Sequence, residues 1–316
     1  MERRYKLLVD TDIGNDIDDA IALTYALSNP AFEILGVTTV KRNGELRARL
    51  VKACMEATGQ TAPVAIGDEV TGIASDRSRT LGQLDWAEQH APPLTQRCQI
   101  AEDLIYQTAK AHPKELYLIA LGPLTNVARA FLRYPELPEI LGGLYLMGGE
   151  IERFRREHNF ANDYLAADFV LNRMPHCHVA TWGVGARLEF GHERIQALRS
   201  SPTPGNELLL KLIDAWDGGR PPLLFDIIPF LWLERPSVIQ AEPMHLRVET
   251  LGAYTRGVVV CTNKPAGLPI EYCTLSHLAS VEKDGKRASR VATDLDVTAA
   301  YDMISRVLLR RETFDD

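Results

Sequence analysis

Short apolar runs with β-strand character alternate along this chain with segments of helical periodicity, and that alternation leaves few folds open. Runs at 6–10, 33–40, 63–67, 115–121, 143–148 and 178–183 read as strands, whereas 18–28, 45–58, 98–111, 124–133 and 163–173 read as helices. Strands separated by helices of about 10–15 residues join through right-handed crossovers into a mostly parallel sheet. The expected fold class is therefore α/β, an open, mostly parallel mixed sheet flanked by helices. Segment 18–28 carries apolar residues all round, as a helix buried under a sheet must, and Asn29-Pro30 stops it. Helices are also expected near 206–216 and 226–234, a β-rich part at 238–249, 256–262 and 291–297, and a closing helix from about Thr298 to Arg310. Stretches 68–95, 150–158 and 217–224 read as loops, and the first is long enough to favour a lid. No repeat, low-complexity tract or linker-like break divides the chain, so a single domain over 1–316 is expected.

Composition narrows the partners. Thirty-five Lys and Arg against 42 Asp and Glu leave a net charge of −7, which on bulk electrostatics opposes a nucleic-acid partner. No apolar run approaches the roughly 20 residues that span a bilayer, so no membrane partner is expected. The first residues lead straight into a strand-like run without a signal-peptide pattern, and the five cysteines show no CxxC spacing; both suit a cytoplasmic protein.

The most informative segment is Asp10-Thr11-Asp12-Ile13-Gly14-Asn15-Asp16-Ile17-Asp18-Asp19, five carboxylates where the first strand gives way to the first helix. Ligands of open α/β sheets bind at the carboxyl ends of strands. A helix N-terminus offsets only about 0.3–1 kcal/mol per carboxylate, too little for five that repel one another. A hard divalent cation with oxygen ligands answers the repulsion, and Ca2+ tolerates mixed carboxylate, carbonyl and water ligation. An EF-hand loop fits poorly, because Gly14 comes one place early and a strand precedes it. A haloacid-dehalogenase-type phosphatase also opens with Asp-x-Asp, and a solvated acidic cap is the plain alternative.

DTDIGNDIDDAIAL at Asp10 onwards resembles the N-terminal signature of the nucleoside hydrolases, the inosine–uridine-preferring family, with Ile13 in place of the usual Pro and two extra residues. Collinear with it, Val37-Thr38-Thr39-Val40-Lys41-Arg42-Asn43 resembles the family's second strand. Gly122-Pro123-Leu124-Thr125-Asn126 resembles its GPLTN segment. Gly148-Gly149, Glu157-His158-Asn159, Asp163 and Ala166-Ala167 follow in the family's order, then Phe225-Asp226 and Thr255-Arg256-Gly257.

The resemblance implies a nucleoside hydrolase fold with a Rossmann-like core, Ca2+ as cofactor, and hydrolysis of the N-glycosidic bond of a small-molecule nucleoside to free base and ribose. It implies Asp12 as general base and metal ligand, with Asp19, Asp226 and the Leu121 backbone carbonyl completing the ligand set. Asp18, Asn43, Glu157 and Asn159 would hold the ribose, while Asp10 would support the loop. Phe225 stands where many members carry a His that protonates the leaving base; with Trp86 it would form an aromatic slot, which leans the expectation towards purines. The stretch 151–156 lacks the family's further Asn. Asp16 receives no role, and Lys41, Arg42, Arg153, Arg155 and Arg156 would surround the rim with positive charge. A homodimer or homotetramer is implied by resemblance alone. Two other readings stay open: a catalytically impaired calcium- and ribose-binding protein, and a phosphatase with Asp10 as nucleophile.

Overall fold

The computed structural model describes residues 4–67, 82–94, 98–174, 176–216, 218–261 and 288–309. The first half of the chain alternates as β1 (Tyr5–Thr11), α1 (Asp18–Ser28), β2 (Phe32–Thr39), α2 (Gly44–Ala57), β3 (Val64–Ile66), α3 (Gly82–His90), β4 (Gln99–Ile100), α4 (Ala101–Ala111), β5 (Leu116–Ala120) and α5 (Thr125–Arg133). A one-turn α6 (Leu137–Ile140), β6 (Gly143–Met147), α7 (His158–Asn162), α8 (Tyr164–Arg173) and β7 (Cys177–Ala180) continue the pattern. Helices α9 (Trp182–Gly185), α10 (His192–Arg199), α11 (Pro204–Ala215) and α12 (Ile228–Glu234) follow without an intervening strand. The last part holds β8 (Ile239–Met244), β9 (Leu246–Val248), β10 (Val259–Cys261), β11 (Ser289–Leu295) and α13 (Val297–Leu308).

Nine strands form one sheet in the order β4-β3-β2-β1-β5-β6-β7-β11-β8, parallel except for the antiparallel pairing of β8 with β11. Strands β9 and β10 pair separately as an antiparallel ribbon. Strand β1 shows why the apolar runs are unbroken rather than alternating. Leu7 and Val9 enter the core on one face of the sheet and Leu8 the core on the other, so every position needs an apolar side chain. The expected all-round burial of α1 holds: Asp18 through Leu27 are buried.

Several boundaries differ from those expected. The 68–95 loop contains α3, whose Leu84 and Ala87 are buried together with Ala91 just past its end; residues 68–81 lie outside the described part. The guanidinium of Arg49 caps that helix, with Nε donating to Ala91 O at 3.0 Å and Nη2 to Ala87 O at 2.8 Å. The strand expected at 178–183 ends at Ala180, because Trp182 opens the one-turn α9. The expected helix at 98–111 begins with the two-residue strand β4, and α10 was not anticipated. Residue 262 of one expected strand and Arg310 of the last expected helix lie outside the described residues.

The topology places the site. Strand β1 connects to β2 on one side, whereas its other neighbour is β5, so the strand order reverses between β1 and β5. A reversal of this kind opens a crevice at the carboxyl ends of the two strands. Asp10 pairs in register with Ala120 there, and Leu121 N donates to Asp10 O at 2.8 Å just past the end of its strand.

Candidate active site

The loop from β1 to α1 is fixed by its own hydroxyl and by a buried arginine. Thr11 Oγ1 accepts from Ile13 N at 3.0 Å and donates to the Asp19 carboxylate. Arg47, on α2 and 1% exposed, donates through Nη1 to the Asp12 and Ile13 carbonyls, through Nη2 to Asn15 Oδ1 at 2.7 Å, and through Nε to Arg42 O at 2.7 Å. Gly14 turns the loop at φ +114°, where a side chain would be strained. The two extra residues, Asn15 and Asp16, are held by Gln83 of α3, whose Nε2 donates to Asp16 O at 2.9 Å. The Asp16 carboxylate is half-exposed, 3.6 Å from Arg220.

Three carboxylates converge above this loop. Asp18, Asp19 and Asp226 each offer an oxygen, these oxygens lie within 4.8 Å of one another, and all three residues are buried. Asp226 arrives two residues before α12, so the late segment brings it onto the first turn of α1. Burial first, then mutual repulsion, pushes all three well above the ordinary carboxylate range, Asp19 to about 8; Asp18 and Asp226 share a hydrogen bond. An all-oxygen, anionic and buried donor set fits a hard divalent cation and suits no soft one.

Asp12 lies beside this triad and is held by Lys41, whose Nζ is 2.5 Å from Asp12 Oδ2 and 2.9 Å from His158 Nε2. Burial alone would raise its carboxyl, but the nearby Lys41 and Arg47 charges outweigh burial and hold it below the usual range. Gly122 gives Asp12 room: a Cβ there would stand 2.8 Å from Asp12 Oδ1. Lys41 is thus buried against Asp12 rather than on the rim.

The other expected residues are placed as follows. The Leu121 carbonyl accepts from Asn159 Nδ2 at 2.6 Å. Glu157 caps α7, its carboxylate accepting from Gly149 N at 2.9 Å, Asn159 N at 2.7 Å and Phe160 N at 3.0 Å. Asn43 is exposed at the start of α2 with φ +62°. Phe225 stacks on Trp182, centroids 5.9 Å apart and planes 27° apart, and the Arg155 guanidinium lies 3.9 Å over the outer ring. Trp86, on α3, stacks on His90 with centroids 5.2 Å apart.

Asp10 is fully buried, its Oδ1 accepting from Thr38 Oγ1 at 2.5 Å and Asn126 Nδ2 at 2.7 Å. Burial pushes it to about 7 against the opposing effect of those two hydrogen bonds. A nucleophile must reach its substrate, so the phosphatase reading fails at this residue.

Sequence reasoning missed Arg47 and Trp182. A signal existed for the first: Arg47 shares a helical stripe with the buried Leu50, Val51 and Cys54, an unusual place for a charge. For the second, the signal was an aromatic just beyond the carboxyl end of a strand.

The acidic pocket predicts how stability depends on pH. Asp10 and Asp19 titrate near 7 and near 8 in the folded protein, above their unfolded range, so the folded state holds protons that the unfolded state releases. Stability from such groups is greatest below the unfolded pKa and is lost as pH rises through the folded one. Asp12 has the opposite sign, and its contribution fades only in acid below the ordinary carboxylate range. In chelator, the Tm is expected to fall between about pH 5.5 and about pH 8.5, and millimolar calcium should raise it and flatten the slope. Scanning calorimetry across that range tests this, and a Tm that climbs with pH in chelator contradicts it.

Comparison with known proteins extends over nearly the whole chain. Residues 7–302 match the family model described as inosine-uridine preferring nucleoside hydrolase. The chain is 29% identical to the probable uridine nucleosidase 2 of Arabidopsis thaliana, covering 95% of this chain and 96% of that protein. It is 26% identical to the non-specific ribonucleoside hydrolase RihC of Escherichia coli, covering 96% and 98%. Among solved structures, the plant nucleoside hydrolase PpNRh1 superposes with a TM-score of 0.80 at 20% identity, covering 97% of this chain and 99% of that one.

Proposed function

Because the chain belongs to the inosine–uridine preferring nucleoside hydrolase family and is a ribonucleoside N-glycosyl hydrolase, we propose that it works with calcium and favours purine nucleosides. The observation that carries the calcium reading is the convergence of Asp18, Asp19 and Asp226 within 4.8 Å in a buried pocket.

Those three residues would hold the ion, together with the Leu121 carbonyl if Asn159 yields it. When bound, calcium supplies polarisation of a water and an anchor for ribose hydroxyls. The protein's own groups do the rest. Asp12, kept ionised by Lys41, accepts the proton of a water whose oxygen bonds to C1′ of the ribose. As that bond forms, the C1′–N bond breaks and its electron pair leaves with the base. The base then takes a proton to become neutral, and Phe225, having no titratable hydrogen, cannot provide it. Protonation from solvent suits purines, whose ring nitrogens are basic. Phe225, next to Asp226 in the chain and backed by Trp182, supports stacking of a bicyclic base.

A nucleoside panel tests both parts. Ribose release should collapse in chelator and return with calcium, and kcat/KM should be higher for inosine and guanosine than for uridine and cytidine. Phe225→Ala should lower the inosine-to-uridine ratio about tenfold, the scale of one aromatic contact. Full activity in chelator retires the calcium reading, and a ratio unmoved by Phe225→Ala retires the stacking one.

A further inference from the structure

We propose that Lys41 is a tethered cation of the acidic pocket, one that shares the carboxylates with the divalent ion and thereby weakens the ion's binding. The inference rests on the reading that Asp18, Asp19 and Asp226 take such an ion, and it adds a residue that opposes it.

The placement of Lys41 is built. Its side chain is 5% exposed, and its ammonium sits between Asp12 Oδ2 at 2.5 Å and His158 Nε2 at 2.9 Å. The backbone turns to deliver it: Lys41 has φ +76° and Asn43 φ +62°, two non-glycine residues in the left-handed region within three positions. Conformations of that kind persist where surrounding structure enforces them. Here Val40 N donates to Thr11 O at 3.0 Å on one side, and the buried Arg47 holds the Arg42 carbonyl on the other.

The charge arrangement gives the consequence. Four buried carboxylates, Asp12, Asp18, Asp19 and Asp226, crowd one pocket. The ammonium neutralises the Asp12 side, while the Asp18–Asp226 side is left to share a hydrogen bond. An incoming divalent ion then meets a pocket already carrying one positive charge, and like charges separated by a few ångströms in a poorly polarisable interior repel strongly. Lys41 also takes one lone pair of Asp12 Oδ2, which weakens that oxygen as a donor to the ion. In return the lysine keeps Asp12 oriented and the apo pocket partly neutral. It is a positioning residue, acting through Asp12.

The test is calcium titration by calorimetry on chelator-treated protein, comparing wild type with Lys41→Met, Lys41→Gln and Lys41→Arg. The methionine and glutamine variants should bind calcium at least tenfold more tightly than wild type, and the arginine variant within about threefold of it. Their Tm should also rise more on calcium addition than that of wild type, because the ion takes the lysine's place. If Lys41→Met folds only in calcium, that is the same expectation in its strongest form; if it never folds, Lys41→Gln and Lys41→Arg carry the comparison. Unchanged or weaker binding in the uncharged variants overturns the inference while leaving the metal reading standing. Absence of calcium binding in every protein, wild type included, overturns both.

Discussion

Asp12→Asn is expected to reduce kcat by about 10²- to 10⁴-fold while leaving the KM for nucleoside within about threefold. The amide has the shape of the carboxylate but cannot accept the water's proton, so the loss falls in the transition state. The substitution also removes the partner of a buried ammonium, and Lys41 is left with His158 Nε2 at 2.9 Å. A fall in Tm of several degrees is therefore expected beside the kinetic effect. Initial rates of ribose release below the Tm of the variant separate the two. Retention of more than a tenth of wild-type kcat by a folded variant would remove Asp12 from the role of base.

The second large effect is on folding. Arg47→Met should destabilise the protein by about 3–5 kcal/mol, a drop in Tm on the order of 10 °C for a chain of this size. Its guanidinium serves four acceptors at once: the carbonyls of Asp12, Ile13 and Arg42, and Asn15 Oδ1. Methionine fills the space but donates to none of these acceptors, and the Asp12 and Ile13 carbonyls among them are bonded in the buried interior. Arg47→Lys, with a charge but no planar fork, should fall between the two. Calcium affinity should drop with stability, since the loop held by Arg47 carries the approach to Asp18 and Asp19. A Tm within two degrees of wild type in Arg47→Met would show that the loop is held by other means.

Much of the fold was legible because burial on both faces of a parallel sheet leaves an unmistakable pattern. Leu7, Leu8 and Val9 must all be apolar, and Ala20 to Leu27 have no polar face to expose. The helix α3 was also written in the spacing of Leu84, Ala87 and Ala91, but the surrounding polar residues masked it. The meeting of Asp18 and Asp19 follows from adjacency at a helix start. Asp226 was reachable only through resemblance, because no local pattern tells a chain which distant strand end it will face. Lys41 was hidden for a different reason. A lysine beside an arginine after a strand reads as solvated charge, and only a left-handed backbone turns it inward. Trp182 was not singled out because it sat inside an expected strand, whereas Trp86 lies on a helix that Arg49 ties down.

The origin of the third carboxylate has a consequence for biogenesis. Asp18 and Asp19 leave the ribosome well before Asp226, which lies about two hundred positions further along the chain. Closing so long a loop carries an entropic cost that grows only slowly with its length, and a captured cation can help repay it. Until Asp226 emerges, Lys41 and Arg47 are the charges that offset Asp12 and Asp19. Calcium would then act as a late fastener, binding firmly only once synthesis has passed the segment that brings Asp226 home.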